Sequence, residues 1–203
     1  MTDSKSNPVT RRYLLLATSG VAAVGVVGAA VPFVQSWTPS AKARALGAPI
    51  KVDISRLKPG EMLRPTPKWR GQTIFVFHRS ESVLARLEKE AADLADPLSK
   101  KSIQPDYAAN TWRSIRPEIG VYIGLCTHLG CVPTYEPDVG SEKWDSNWRG
   151  GFFCPCHGSK FDLAGRIEKN LPAPTNLVVP PYRYETETMI VVGEDMEDME
   201  EIA

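Results

Sequence analysis

The chain has 203 residues, with 24 basic and 24 acidic side chains and a formal net charge of zero. No basic patch stands out, so the sequence excludes an electrostatic nucleic-acid binder. Once an apolar N-terminal stretch and its linker are set aside, about 155 residues remain, enough for one domain with a substantial core.

At the N-terminus, Thr10-Arg11-Arg12-Tyr13-Leu14-Leu15 has the form of a twin-arginine export signal. The same two arginines also serve positive-inside orientation, and both readings leave residues 1–12 in the cytoplasm. Lys42 and Arg44 partly balance Lys5, Arg11 and Arg12, which weakens an argument from charge counting alone. From Tyr13 to Val34, 22 residues carry no charge. At about 1.5 Å rise per residue they just span about 30 Å of hydrocarbon, which predicts one transmembrane helix over 13–34 in contact with membrane lipid. A cleaved secretory signal has an apolar core of about 7–15 residues, so the longer run here predicts an uncleaved anchor. Gly20, Gly25 and Gly28 with neighbouring alanines admit close helix packing and also suit a signal sequence. Trp37 is placed as an interfacial residue, and 35–49, rich in small residues and lacking an apolar period, reads as a flexible tether.

Beyond the tether the pattern is that of a mainly β domain over 50–193. Strands are predicted at Ile50 to Ile54, Gln72 to Phe77, Val121 to Leu125, Leu177 to Val179 and Met189 to Val192. Val83, Leu84, Leu87, Ala91 and Leu94 recur near the helical period behind Ser80 as a cap, so one helix is inserted among the strands. His78 follows an apolar run far from the other histidines and reads as structural. The 132–153 stretch, with Trp144, Trp148 and the turn Pro137-Asp138-Val139-Gly140, either meets a partner or packs on its own domain. The acidic tail over 194–203 reads as solvated, with a basic cytochrome as the competing reading.

All four cysteines and two of the three histidines fall into two boxes, Cys126-Thr127-His128-Leu129-Gly130-Cys131 and Cys154-Pro155-Cys156-His157-Gly158-Ser159. Cysteines kept as small buried apolar residues would be scattered. Thiolate and neutral imidazole together suit zinc, copper or an iron-sulfur cluster. One tetrahedral zinc held by Cys126, His128, Cys154 and His157 would leave Cys131 and Cys156 idle, whereas a binuclear cluster with a disulfide beside it uses all six.

The boxes resemble those of the Rieske iron-sulfur proteins of quinol-oxidising cytochrome bc-type complexes, and the Pro172-Ala173-Pro174 turn followed by Asn176-Leu177 is similar to that family's loop over the cluster. The resemblance implies a Rieske-type antiparallel β sandwich with a cluster-binding subdomain at about 120–180. It implies a [2Fe-2S] cofactor with Cys126 and Cys154 on one iron, His128 and His157 on the other, and a Cys131–Cys156 disulfide. Exchanging two thiolates for neutral imidazoles removes two negative charges, the basis of Rieske potentials of about −150 to +300 mV against about −400 mV for plant-type ferredoxins.

The same resemblance makes His157 the residue that hydrogen-bonds to ubiquinol. It gives the chain a cytochrome b subunit and a c-type cytochrome as partners in a dimeric complex, and makes 35–49 the hinge over which the head domain moves. The export reading and a disulfide together place the cluster domain in the periplasm at a bacterial inner membrane. Ser159 matches a serine that donates to a bridging sulfide, but Phe161 stands where high-potential relatives commonly carry a tyrosine, and Leu171 where glycine is frequent. A plastoquinol-oxidising complex shares these boxes. The Rieske domains of ring oxygenases lack the extra cysteines, and a zinc-binding interaction module is the competing reading from another class.

Overall fold

The computed structural model describes residues 8–66, 68–140 and 145–195. The chain up to Ala45 forms one unit and the chain from Leu46 a second.

The first unit is built on α1, Pro8–Ser36, which extends past the predicted 13–34 at both ends and contains Pro32. Its large apolar side chains are exposed, and among the described residues it is the one helix long and apolar enough to cross a membrane. The 35–49 stretch differs from the expected tether, because a second helix, α2, occupies Ala41–Gly47. Ser40 Oγ accepts the Ala43 N–H at 3.1 Å, and alanine, lysine and arginine favour helix without needing an apolar stripe. No residue of α2 is buried.

In the second unit the described strands are β1 (Ile50–Asp53), β2 (Met62–Leu63), β3 (Ile74–His78), β4 (Ile119–Ile123), β5 (Thr134–Glu136), β6 (Gly151–Phe153), β7 (Lys160–Phe161), β8 (Tyr182–Tyr184) and β9 (Met189–Val192). They form three antiparallel three-stranded sheets in the orders β1-β9-β8, β2-β3-β4 and β5-β6-β7. The mainly β expectation holds, and four of the five predicted strands are present with ends displaced by up to two residues. Leu177 to Val179 is not a strand. Leu177 donates to Gly165, Val178 accepts from Ile123 and Val179 donates to Ile103, so its backbone is shared among three segments rather than one ladder.

Helix α3 covers only Glu81–Leu87, shorter than the apolar pattern to Leu94 suggests. Ser80 sits at the cap position without capping, its hydroxyl paired with that of Ser82. Beyond Leu87 tertiary pairing overrides the helical pattern, since Leu94 bridges to Glu168 and the Ala95 N–H donates to Ile167.

The core is laid down by β3, whose residues Ile74 to Phe77 are fully buried. Phe152 of β6 stacks on Phe75 with centroids 5.4 Å apart and meets Phe77 edge-on at 5.3 Å, clamping the third sheet onto the second. Tyr107 and Tyr182 tie the first sheet in, the Tyr107 hydroxyl donating to the Tyr182 carbonyl and the Tyr182 hydroxyl accepting the Ile115 N–H.

Burial raises the phenol pKa of Tyr107, Tyr122, Tyr182 and Tyr184 above the ordinary value and pushes Tyr135 up to about 12. A folded-state pKa raised above the unfolded one gives stability that is complete below about pH 10 and lost as pH rises beyond it. Alkaline titration followed by phenolate absorbance and circular dichroism should therefore show these phenols ionising together with unfolding. In a Tyr13→Phe variant, which removes the one tyrosine outside this domain, phenolate growth near pH 10 in a folded protein would contradict this packing.

Candidate metal centre

Strand β4 ends at Ile123 and runs into the first box, while β6 ends at Phe153 and runs into the second. The two boxes fold alike. In the first, the Cys126 N–H donates to the Cys131 carbonyl at 2.7 Å and the Gly130 N–H to the Cys126 carbonyl at 2.9 Å. In the second, the Cys154 N–H donates to Ser159 at 2.8 Å and the Gly158 N–H to Cys154 at 2.9 Å. Each frame closes on a glycine in the left-handed region, Gly130 at φ +80° and Gly158 at φ +78°, a conformation that side chains disfavour.

The predicted site residues are brought together. Cys126 and Cys154 are buried free thiols. His128 is half-buried and His157 exposed, their ring centroids 4.7 Å apart at 84°. Cys131 and Cys156 form a disulfide, as the family resemblance implies, and the Cys154 sulfur lies within 4.8 Å of both of its sulfurs. Burial pushes the Cys126 thiol pKa up and the neighbouring Cys154 adds to this, against the lowering effect of the His128 N–H and the Ser159 hydroxyl. This donor set fits a metal group. Two buried sulfurs lie side by side, donors that would bind a metal as thiolates, and two imidazoles stand together on the solvent side. Thus Cys126, Cys154, His128 and His157 are the residues that could hold a binuclear cluster, and the disulfide leaves Cys131 and Cys156 out of that set.

A third loop completes the site. Ser159, buried, accepts the Ala173 N–H at 3.1 Å, which fixes the path of the Pro172-Ala173-Pro174 turn, and half-buried Leu171 packs against the core. Thr127 Oγ1 donates to the Thr175 carbonyl at 2.6 Å. Sequence reasoning missed Thr127 and Thr175, since a threonine between two metal-ligand candidates carries no signal of its own. Phe161 is buried in β7. Leu129 is 71% exposed at the tip of the first box.

Other singled-out residues lie elsewhere. His78, whose Nδ1 lies 3.0 Å from the Leu57 carbonyl, pairs with Ile119 at the end of β4 remote from Cys126. In the 132–153 stretch Trp148 is buried and its indole donates to the Glu136 carbonyl at 3.0 Å, so this part packs on its own domain. Trp144 lies outside the described residues, as does the acidic tail from Met196, while Glu194 pairs with Arg183.

The disulfide closes a loop of 25 residues between the two boxes. Replacing Cys131 and Cys156 together by serine should lower the stability of the protein by about 3 kcal/mol in chemical denaturation. An unchanged denaturation midpoint would show that the loops are held without it.

Residues 1–40 match the family described as Ubiquitinol-cytochrome C reductase Fe-S subunit TAT signal, and residues 89–183 match the Rieske [2Fe-2S] domain. Over 189 residues the chain is 56% identical to the ubiquinol-cytochrome c reductase iron-sulfur subunit of Allochromatium vinosum, covering 93% of this chain and 90% of that protein. The corresponding subunit of Blastochloris viridis is 42% identical over 200 residues, 95% of this chain and 98% of that one. Among solved structures, one chain of a hyperthermophilic respiratory Complex III aligns with a TM-score of 0.45 and 25% identity over 86% of this chain and 97% of its own length.

Proposed function

Because the chain belongs to the family of ubiquinol-cytochrome c reductase iron-sulfur subunits, we propose that it is the redox subunit that takes one electron and one proton from ubiquinol and passes the electron to a c-type cytochrome. The carrying observation is the layering of the site, with two buried thiols beneath two imidazoles that face outward. A [2Fe-2S] group on Cys126, Cys154, His128 and His157 supplies one-electron chemistry at a potential within the range given above.

The residues of this chain do the rest. His157, the more exposed ring, offers a nitrogen that can accept a hydrogen bond from the quinol hydroxyl and hold its proton. Exposed Leu129 and Pro155 give the rim an apolar surface suited to the cytochrome b subunit. The apolar helix anchors the chain, and the two arginines before it support an N-terminus in the cytoplasm of a bacterium. The disulfide fits a cluster domain on the oxidising, periplasmic side. The 35–49 segment, with its exposed two-turn helix, serves as the moving connection between anchor and head in a dimeric complex.

The purified protein should contain iron and labile sulfide and show the paramagnetic signal of a reduced binuclear cluster, and replacing Cys126, His128, Cys154 or His157 by alanine should abolish that signal and quinol:cytochrome c reductase activity. A zinc-bound, redox-silent protein would sink the proposal, and a surviving signal in any one variant would remove that residue from the ligand set.

Phe161 gives a second test. A tyrosine hydroxyl at this position would donate to a ligand sulfur and stabilise the more negative, reduced form. One such bond of about 1 kcal/mol corresponds to about 40 mV for a one-electron couple. Phe161→Tyr should raise the midpoint potential by about that amount. An unshifted potential, with the new hydroxyl in reach of sulfur, would rule out this account of the departure from the family pattern.

A further inference from the structure

The segment over 93–102, which follows α3, is joined to the first box by one continuous line of hydrogen bonds. Thr127, between Cys126 and His128, donates its hydroxyl to the Thr175 carbonyl at 2.6 Å. That carbonyl shares a planar peptide with the Asn176 N–H, which donates to Ser102 Oγ at 3.0 Å. The Ser102 hydroxyl donates in turn to Asp96 Oδ2 at 2.8 Å. Every donor points the same way, from the first box toward the carboxylate.

The far end and the middle of this line are pinned by further hydrogen bonds. Asp96 is buried and also accepts the N–H groups of Lys100 at 2.8 Å and Lys101 at 3.0 Å. Burial alone would raise its pKa, but the Lys101 N–H, the Ser102 hydroxyl, the Lys100 N–H and the charge of Arg113 together outweigh burial and hold the carboxyl below the ordinary range. The shared peptide is pinned by the Asn176 side chain, which is fully buried. Its Nδ2 donates to the Asp96 carbonyl at 2.9 Å and to Ser99 Oγ at 2.8 Å, and its Oδ1 accepts the Ile167 N–H at 2.9 Å. Ser99 adopts φ +52°, a strained value for a non-glycine residue that these contacts maintain.

We propose that Thr127, the 175–176 peptide, Ser102 and Asp96 form a directional relay that positions the first ligand loop and lowers the reduction potential of the metal centre. The proposal rests on the iron-sulfur reading of the site. The relay turns the Thr127 hydroxyl away from the ligands and presents its oxygen to their side. It aligns three successive dipoles with their negative ends toward Cys126 and His128, and it sets an ionised carboxylate behind them. Each of these opposes the arrival of an electron, and aligned hydrogen bonds polarise one another in a medium of low dielectric. The planarity of the shared peptide makes the coupling mechanical as well, because its N–H cannot leave Ser102 without tilting the carbonyl that holds Thr127.

The test is the midpoint potential of the purified full chain carrying its cluster, at fixed pH, in Ser102→Ala, Asp96→Asn, Ser99→Ala and Ser102→Thr. Ser102→Ala cuts the relay and Asp96→Asn removes its charge, so both should shift the potential upward. Ser99→Ala deletes a hydroxyl bonded to the same asparagine but leaves the relay whole, and it should match the parent. Ser102→Thr keeps a hydroxyl at the break and should restore the parent value. A Ser102→Ala potential equal to or below the parent's would overturn the relay. If that variant loses its cluster, Asp96→Asn decides alone, an upward shift supporting the relay and no shift overturning it. A parent protein without an iron-sulfur signal would instead overturn the reading of the site on which the relay rests.

Discussion

The metal centre depends on holding two short loops face to face when they come from different sheets. The first box leaves β4 in the second sheet, and the second box leaves β6 in the third. Their relative position is therefore set by how those sheets pack, and that packing runs through Phe152. Its ring lies against Phe75, Phe77, Tyr122 and Tyr135, with all four centroids between 5.3 and 6.4 Å away. Gly124, just before the first box, leaves space for the Phe75 ring, since a Cβ there would fall 2.5 Å from it. The disulfide then joins the outer edges of loops whose inner edges the aromatic core has already aligned.

This arrangement sorts the candidate ligands by solvent exposure. The cysteines that begin each box follow directly from buried strands and are buried themselves, whereas the histidines, two and three residues later, lie further out on the loops. The thiols thereby lie where a bound metal would compensate thiolate charge, and the imidazoles lie nearer the solvent. The backbone frame shared by the two boxes satisfies the N–H groups of Cys126, Gly130, Cys154 and Gly158, while the His128 N–H turns to the Cys126 sulfur.

The cofactor class was legible in the sequence because the candidate ligands are rare residue types at short, fixed offsets. The long apolar helix and the strand at Met189–Val192 were legible because each satisfies a strong local pattern. What escaped lacks such a pattern. Strands β5, β6 and β7 hold two or three residues each and exist only as partners of one another, so alternation had nothing to act on. Strand β8 follows Pro180-Pro181, which reads as a break. The exposed α2 depends on a serine cap and intrinsic propensity, without the apolar stripe that the tether reading looked for. Helix α3 failed in the other direction, because the last buried position of the apolar spacing, Leu94, sits in a loop, with Ala91 before it exposed.

The least legible part is the polar interior that supports those loops. Arg79, Arg113 and Arg166 are at most 2% exposed, yet among the described contacts only Arg166 meets a carboxylate, Asp162, at 2.7 Å. Arg79 instead donates to the carbonyls of Leu163, Trp112 and Pro117 and to the hydroxyls of Ser114 and Tyr122. Arg113 donates to Gln104 and, through longer contacts, to Ala164 and Gly165, and its burial lowers its pKa. These segments are irregular, so their carbonyls have no ladder to join, and a guanidinium with five donors in a fixed fork serves several at once. Arginine here replaces secondary structure as the means of satisfying buried backbone. It does so without any periodicity, because its partners are set by where loops distant in sequence meet. Arg113 and Arg79 thereby hold the 104–117 and 163–165 segments around Tyr122, on the strand that leads into the first box, so the rigidity of the ligand loop begins in a polar core that no local pattern announces.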